Sequence, residues 1–137
     1  MKIFLDTGFF IAYFLKSETL HSKVVARYKF FRRQKAGFFT SNYILDELFT
    51  WLTRNLDRPA AERIIGSLEI VIRNRELRVF YIDEATDKKA RAAFLKFFDQ
   101  KLSFTDATTY VLYKDFRLDG IFTLDADFKK IGAATAI

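Results

Sequence analysis

Two hydrophobic periods alternate along this chain. Short apolar runs at Lys2 to Leu5, Phe38 to Thr40, Leu77 to Ile82 and Gly120 to Leu124 have the length and composition of strands. Between them apolar residues recur every three or four positions, the spacing of one helix face. Thr7 to Leu15 reads as a short apolar helix entered through Asp6. From Glu18 to Gln34 the stripe is Leu20, Val24, Tyr28 and Phe31, with Lys23, Arg27, Arg32 and Arg33 toward solvent. Gly37 ends that unit, and Ser41 or Asn42 can cap a helix running to about Asn55. Asp57 followed by Pro59 starts another, with the stripe Ala61, Ile64, Ile65, Leu68 and Ile72. Asp83 can cap a helix bearing Ala90, Ala93, Phe94, Phe97 and Phe98. A further helix is predicted over Thr105 to Phe116 and a helical turn over Asp125 to Lys130, and the apolar last residues suggest an edge strand.

Strands separated by helices imply a parallel sheet, because a parallel neighbour needs a crossover that returns the chain to the same end. The expected fold class is α/β, with three layers: a central, mostly parallel sheet of four to five strands, flanked by helices. No Gly/Ser/Pro-rich linker and no repeat divides the 137 residues, so a single domain over 1–137 is expected. The longest apolar runs fall far short of the ~20 residues of a membrane span. Met1-Lys2 leads straight into a strand-like segment, without the apolar stretch of a signal peptide. A cytoplasmic protein without a membrane role is expected.

Acidic residues punctuate this pattern at particular places. Asp6 follows the first strand, Asp106 opens a late helix, and Asp125 and Asp127 follow the last strand. In an open parallel sheet such positions converge on one rim, the usual site of ligand binding. Each acid alone is also a natural helix cap or first-turn residue. Capping does not explain why they share a rim, where carboxylates repel unless a cation neutralises them. Glu47 extends the argument. At about 100° per residue, Ile44, Leu45, Leu48, Phe49, Trp51 and Leu52 form one apolar arc, with Glu47 at its edge and Asp46 nearly opposite. That winding predicts Glu47 close to the sheet and Asp46 in solvent. Oxygen donors of this kind suit hard cations such as Mg²⁺.

Hydroxyl residues flank the acids: Thr7 after Asp6, Ser103 and Thr105 before Asp106, and Thr123 before Asp125. They can orient water or a phosphate oxygen, or simply cap helices. The chain has no cysteine and one histidine, His21, which excludes thiolate chemistry and a two-histidine ribonuclease mechanism. The net charge is +6 although the motifs gather negative charge, so the remaining surface is basic and suits a polyanion. Candidate phosphate contacts are Arg32, Arg33 and Lys35, then Arg73, Arg75 and Arg78, then Lys129 and Lys130. Aromatic residues make up 18% of the chain, enough to serve both a core and an interface.

Asp6-Thr7 after a starting strand, Glu47 in an early helix, Thr105-Asp106 opening a late helix, and Thr123-Leu124-Asp125-Ala126-Asp127-Phe128 near the end resemble the four motifs of PIN-domain nucleases. In size and coverage the chain resembles the VapC-type toxins of prokaryotic toxin-antitoxin pairs. The resemblance implies a PIN-like fold and an Mg²⁺- or Mn²⁺-dependent endoribonuclease acting on RNA. It also implies a homodimer and inhibition by a small cognate antitoxin. It maps the family's first three acids onto Asp6, Glu47 and Asp106 and its fourth onto Asp125, with Asp127 the other candidate for the place nearer the metal; Thr7, Ser103 and Thr105 are the expected supporting groups. The alternative is a catalytically silent module of the same fold that binds RNA or protein. A receiver domain fits less well, since paired acids after the first strand and a late lysine after a strand are missing. A phosphatase using Asp-x-Asp fails because residue 8 is Gly.

Overall fold

The computed structural model describes residues 1–136. Four strands, β1 (Lys2–Leu5), β2 (Gly37–Ser41), β3 (Leu77–Phe80) and β4 (Gly120–Phe122), form one parallel sheet in the order β3-β2-β1-β4. Helices α1 (Thr7–Phe14) and α2 (His21–Arg33) link β1 to β2, and α3 (Asn42–Asn55) and α4 (Arg58–Arg73) link β2 to β3. Helices α5 (Glu84–Lys96) and α6 (Phe104–Asp115) carry the chain from β3 to β4, and α7 (Asp127–Lys130) follows. Consecutive residues Ile3, Phe4 and Leu5 are all buried, as are Ile121 and Phe122, so both faces of the sheet are covered and the fold has the expected three layers.

The chain steps outward from β1 to β3, then returns past β1 to place β4 on its other side. Strand order therefore reverses between β1 and β4, and the carboxyl ends of these two strands border the crevice in which open parallel sheets bind ligands. Their register pairs Ile3 with Gly120, Phe4 with Ile121 and Leu5 with Phe122. Beyond it the Asp6 N–H donates to the Phe122 carbonyl at 3.1 Å. The expected edge strand at the end of the chain is present as one bridge, Ile121 with Thr135, backed by hydrogen bonds of 2.9 Å on either side. Ile137, also part of that expectation, lies outside the described residues.

Helix starts follow the caps read from sequence. Ser41 accepts from Ile44 N–H at 3.1 Å, Asp57 from Ala60 N–H at 3.0 Å and Asp83 from Thr86 N–H at 2.8 Å. Other boundaries differ from expectation. The second helix begins at His21 rather than Glu18, and Leu20 stays exposed, because His21 turns back so that its Nδ1 meets the Ala12 carbonyl at 2.7 Å. Strand β3 stops at Phe80, since the Ile82 N–H is taken by Asn42 Oδ1 at 2.9 Å instead of the ladder. Strand β4 stops at Phe122, where its partner β1 ends. Phe98, read as part of a buried stripe, falls in a short 3₁₀ turn after α5 and is 60% exposed.

Most of the aromatic residues named above are core. Phe122 is fully buried, with the Phe9 ring of α1 at 4.8 Å and the Phe31 ring of α2 at 6.2 Å. Tyr28 continues the stack from Phe9 to Phe38. Phe122 thus joins β4 to the two helices that follow β1.

The helices that precede β2, β3 and β4 end alike. Ala36 N–H reaches back to the Phe31 carbonyl, Glu76 N–H to Val71 and Leu118 N–H to Tyr113, at 3.1, 2.9 and 3.0 Å. This closure requires a left-handed residue, usually glycine. Here it is Lys35 (φ 58°), Arg75 (φ 59°) and Arg117 (φ 51°). An L-residue in that conformation costs about 1–2 kcal/mol, and a cation at a helix C-terminus returns only about 0.3–1 kcal/mol. The charge is retained at some expense in stability.

Two stability measurements follow. Phe122→Ala should cost about 3–5 kcal/mol in urea unfolding, while Phe98→Ala should change stability by less than about 1 kcal/mol. Lys35→Gly and Arg75→Gly should each melt at or above the parent temperature; a clear fall would mean that these side chains make native contacts beyond the turn.

Candidate active site

The site grows out of the ends of β1 and β4. Asp6 has extended backbone (φ −85°, ψ 168°) and occupies the position before α1, yet its side chain caps no N–H of that helix. It is only 8% exposed. Its Oδ2 instead accepts the Thr123 hydroxyl at 2.7 Å, across the strand-order reversal. Thr123 Oγ1 in turn accepts the Asp125 N–H at 3.0 Å, and Asp125 Oδ1 accepts the Asp127 N–H at 2.9 Å. A ladder of short polar links therefore fixes the loop after β4 against the buried carboxylate. Thr123, which the sequence offered only as one of several hydroxyls flanking the acids, is its central rung.

Three other carboxylates share the field of Asp6: Glu47 in the helix that follows β2, Asp106 at the start of α6 and Asp125 in the loop after β4. Glu47 lies in α3 with Oε1 3.4 Å from the Thr7 hydroxyl that donates to it. Both Glu47 and Asp46 are exposed, so the expected contrast in burial between them is not realised. They differ in surroundings: partial burial raises the Glu47 carboxyl above its ordinary range, and the charges of Asp6 and Asp106 add to this. Asp106 is the third residue of α6 and forms a reciprocal cap with Ser103. Its N–H donates to Ser103 Oγ at 3.0 Å, and its Oδ2 accepts the Ser103 N–H at 3.1 Å. Capping leaves its other carboxyl oxygen uncommitted. Thr105 gives its carbonyl to the Thr108 hydroxyl at 2.6 Å.

Electrostatics identify which acids share a field. Burial raises the Asp6 pKa to about 6, opposed chiefly by the hydrogen bond from Thr123 and reinforced by Asp106 and Asp125. Asp106 is raised first by burial, against its bonds with Ser103, and then by Asp125 and Asp127. Asp127 is lowered instead, because Lys130 Nζ sits 2.9 Å from its Oδ1. Among the described residues no cationic side chain forms an ion pair with Asp6, Glu47, Asp106 or Asp125.

A buried carboxylate that neither caps a helix nor meets a cation, facing other acids, fits a hard divalent ion in the chemistry of its donors. In this conformation no three acidic or imidazole groups among the described residues stand close enough to grip one ion. Ligation would require side-chain rotations that bring the exposed carboxyls of Glu47 and Asp125 inward.

The sequence matches the model of the PIN domain over residues 3–134. No curated protein matches it. Among solved structures the fold is similar to the crystal structure of VapC20 from Mycobacterium tuberculosis, a Sarcin-Ricin loop cleaving toxin, with TM-score 0.79, 22% identity and 96% of each chain covered. It is also similar to VapBC2 from Rickettsia felis bound to a DNA fragment from its promoter, with TM-score 0.69, 13% identity, and 98% of this chain and 96% of that chain covered. At such identities the likeness establishes the fold, while the family match spans nearly the whole chain and includes every acid of the site. This chain belongs to the PIN domain family.

Proposed function

We propose that this protein is a divalent-metal-dependent endoribonuclease, the toxin of a toxin-antitoxin pair. The observation that carries the reading is Asp6, a buried carboxylate without a cationic partner, held by Thr123 at the strand-order reversal with Asp106, Asp125 and Glu47 around it. Two similar folds support it, one a toxin that cleaves the Sarcin-Ricin loop and the other a VapBC complex. Asp6, Glu47, Asp106 and Asp125 would hold the ion, with Asp127 shaping the Asp125 loop through Lys130. Bound there, Mg²⁺ or Mn²⁺ would place positive charge on a phosphodiester and acidify the attacking water.

The chain's own residues have separable tasks. Thr123 fixes one oxygen of Asp6 and leaves the other to face the crevice. Thr7 orients Glu47, and Ser103 orients Asp106. Lys23 and Lys129 flank Asp125 in a cleft of about 190 Å³, where they can take a phosphate oxygen of the RNA. The apolar cleft beside α1, lined by Phe9, Phe10, Phe14 and Leu68, suits an apolar segment of the small antitoxin. A homodimer completes the reading. No described helix is long and apolar enough to cross a membrane. A cytoplasmic location is part of the proposal.

Cleavage of RNA by the purified protein with and without Mn²⁺ tests the reading. Ends should be 5′-phosphate and 3′-hydroxyl, since a water nucleophile leaves the 2′-hydroxyl unused; mainly 2′,3′-cyclic phosphate would refute it. Asp6→Asn, Glu47→Gln and Asp106→Asn should each lower the rate by about two orders of magnitude or more, while Asp46→Asn leaves it within about threefold.

The raised Asp6 pKa gives a pH dependence of defined sign. The native state holds a proton on Asp6 between the ordinary value of 3.8 and about 6, where the unfolded chain has released it. Metal-free stability from this group is therefore greatest at low pH and falls by about 3 kcal/mol as pH rises through 6. Asp6→Asn should abolish that fall in melting temperature measured in EDTA. Metal needs the ionised form, so Mn²⁺-dependent cleavage should climb with pH through about 6.

A further inference from the structure

The two basic clusters separated in sequence by some forty positions meet on the rim opposite the carboxylates. Strand β1 begins at Lys2, β2 just after Lys35 and β3 just after Arg75, so the parallel register places these three cations side by side. With Arg32 and Arg78 they line a groove of about 330 Å³ beside Tyr28 and Phe39. Its one acid, Glu76, is 3.6 Å from Arg32. The Arg78 guanidinium lies over the Phe39 ring, 5.7 Å from its centroid, and both side chains line the groove. Lys35, Arg75 and Arg78 form no ion pair among the described residues. Lys35 and Arg75 keep their charge in left-handed turns where glycine would be less strained. Helix-end electrostatics do not explain Arg78, which is inside a strand.

The acidic rim offers a polyanion little hold. Lys130 is committed to Asp127, which leaves Lys23 and Lys129, in the cleft beside Asp125, to take a phosphate there. A phosphate backbone drawn there by a metal would still be repelled by the carboxylates around it. The opposite rim, about 15 Å away along a strand of four to five residues, has the charge that this rim lacks.

We propose that this basic groove is a second RNA-binding surface, which takes the phosphate backbone of the same RNA whose cleaved segment lies on the acidic rim. The proposal rests on the nuclease reading for the identity of the polyanion. It makes Lys35, Arg75 and Arg78 positioning residues that act on affinity and on selection of long substrates, without touching the reacting atoms. An acidic protein segment is the competing occupant.

The test is fluorescence anisotropy of a labelled RNA long enough to span both rims, in EDTA so that nothing is cut. The parent is compared with a triple variant, Lys35→Gly, Arg75→Gly and Arg78→Gln, after melts establish that the variant is folded. Affinity should fall at least about tenfold at low salt, and the slope of log K against log salt should become shallower by about 2, the value for three lost contacts to a single strand. In Mn²⁺, KM for the long RNA should rise by a similar factor. The cleavage rate of an oligonucleotide too short to leave the acidic rim should stay unchanged. Equal RNA affinity and equal salt slope in parent and variant would overturn the proposal, and so would loss of polyglutamate binding with RNA binding intact. If the parent fails to cut any RNA, the nuclease reading fails, yet the anisotropy comparison still decides whether this groove binds RNA.

Discussion

The hydrogen bond from Thr123 to Asp6, 2.7 Å long between residues 117 positions apart, is the contact on which the rest of the site depends. It closes the gap between the ends of β1 and β4, where the strand order reverses. It also satisfies one oxygen of a carboxylate that folding has removed from water. Without it, the buried charge would lose its hydroxyl donor and be left to the repulsion of its acidic neighbours. The same hydroxyl accepts the Asp125 N–H, so one threonine determines both where Asp6 points and how the following loop is held.

A carboxylate raised to a pKa of about 6 by burial is a liability in a metal-free protein. The fold tolerates it because the surrounding packing is dense: Phe4, Phe122 and Phe128 are wholly buried near the reversal, and Phe122 also presents its carbonyl to the Asp6 N–H. Such a group gives an incoming cation something to relieve. The uncompensated negative charge thus lies on the acidic rim, while the basic residues gather at the other end of the strands. That separation follows from parallel topology. Residues before strands and residues after strands necessarily collect at opposite ends of the sheet.

Much of the fold was legible in the sequence because helix starts are local. Ser41, Asp57, Asp83 and Ser103 each meet an N–H three residues ahead, and the short apolar runs were long enough to mark every strand. Boundaries slipped where a distant group intervened, as when Asn42 took the Ile82 N–H or His21 turned back to the Ala12 carbonyl. Asp6 was ambiguous for the same reason: a cap and a buried carboxylate look alike until the partner, Thr123, is known. Asp106 turned out to serve as a cap while still facing the crevice, so the two readings of that acid are compatible. The arc of α3 placed Ile44, Leu48 and Leu52 in the core, but at the carboxyl rim the core ends early and Glu47 remains exposed. The grouping of Lys35 with Arg75 could not be read from the chain, since it depends on strand order.

The central claim is that Asp6 and the acids around the strand-order reversal share a divalent cation. A crystal structure of the protein soaked in Mn²⁺, with anomalous difference density collected for manganese, addresses it without substrate or activity. The account predicts one or two peaks in the crevice, in direct contact with an Asp6 carboxyl oxygen at about the 2.0–2.1 Å of hard-cation bonds, with Glu47 or Asp125 rotated inward to join it. A well-diffracting crystal with no peak at that rim, or with manganese bound elsewhere and Asp6 uncontacted, would contradict it.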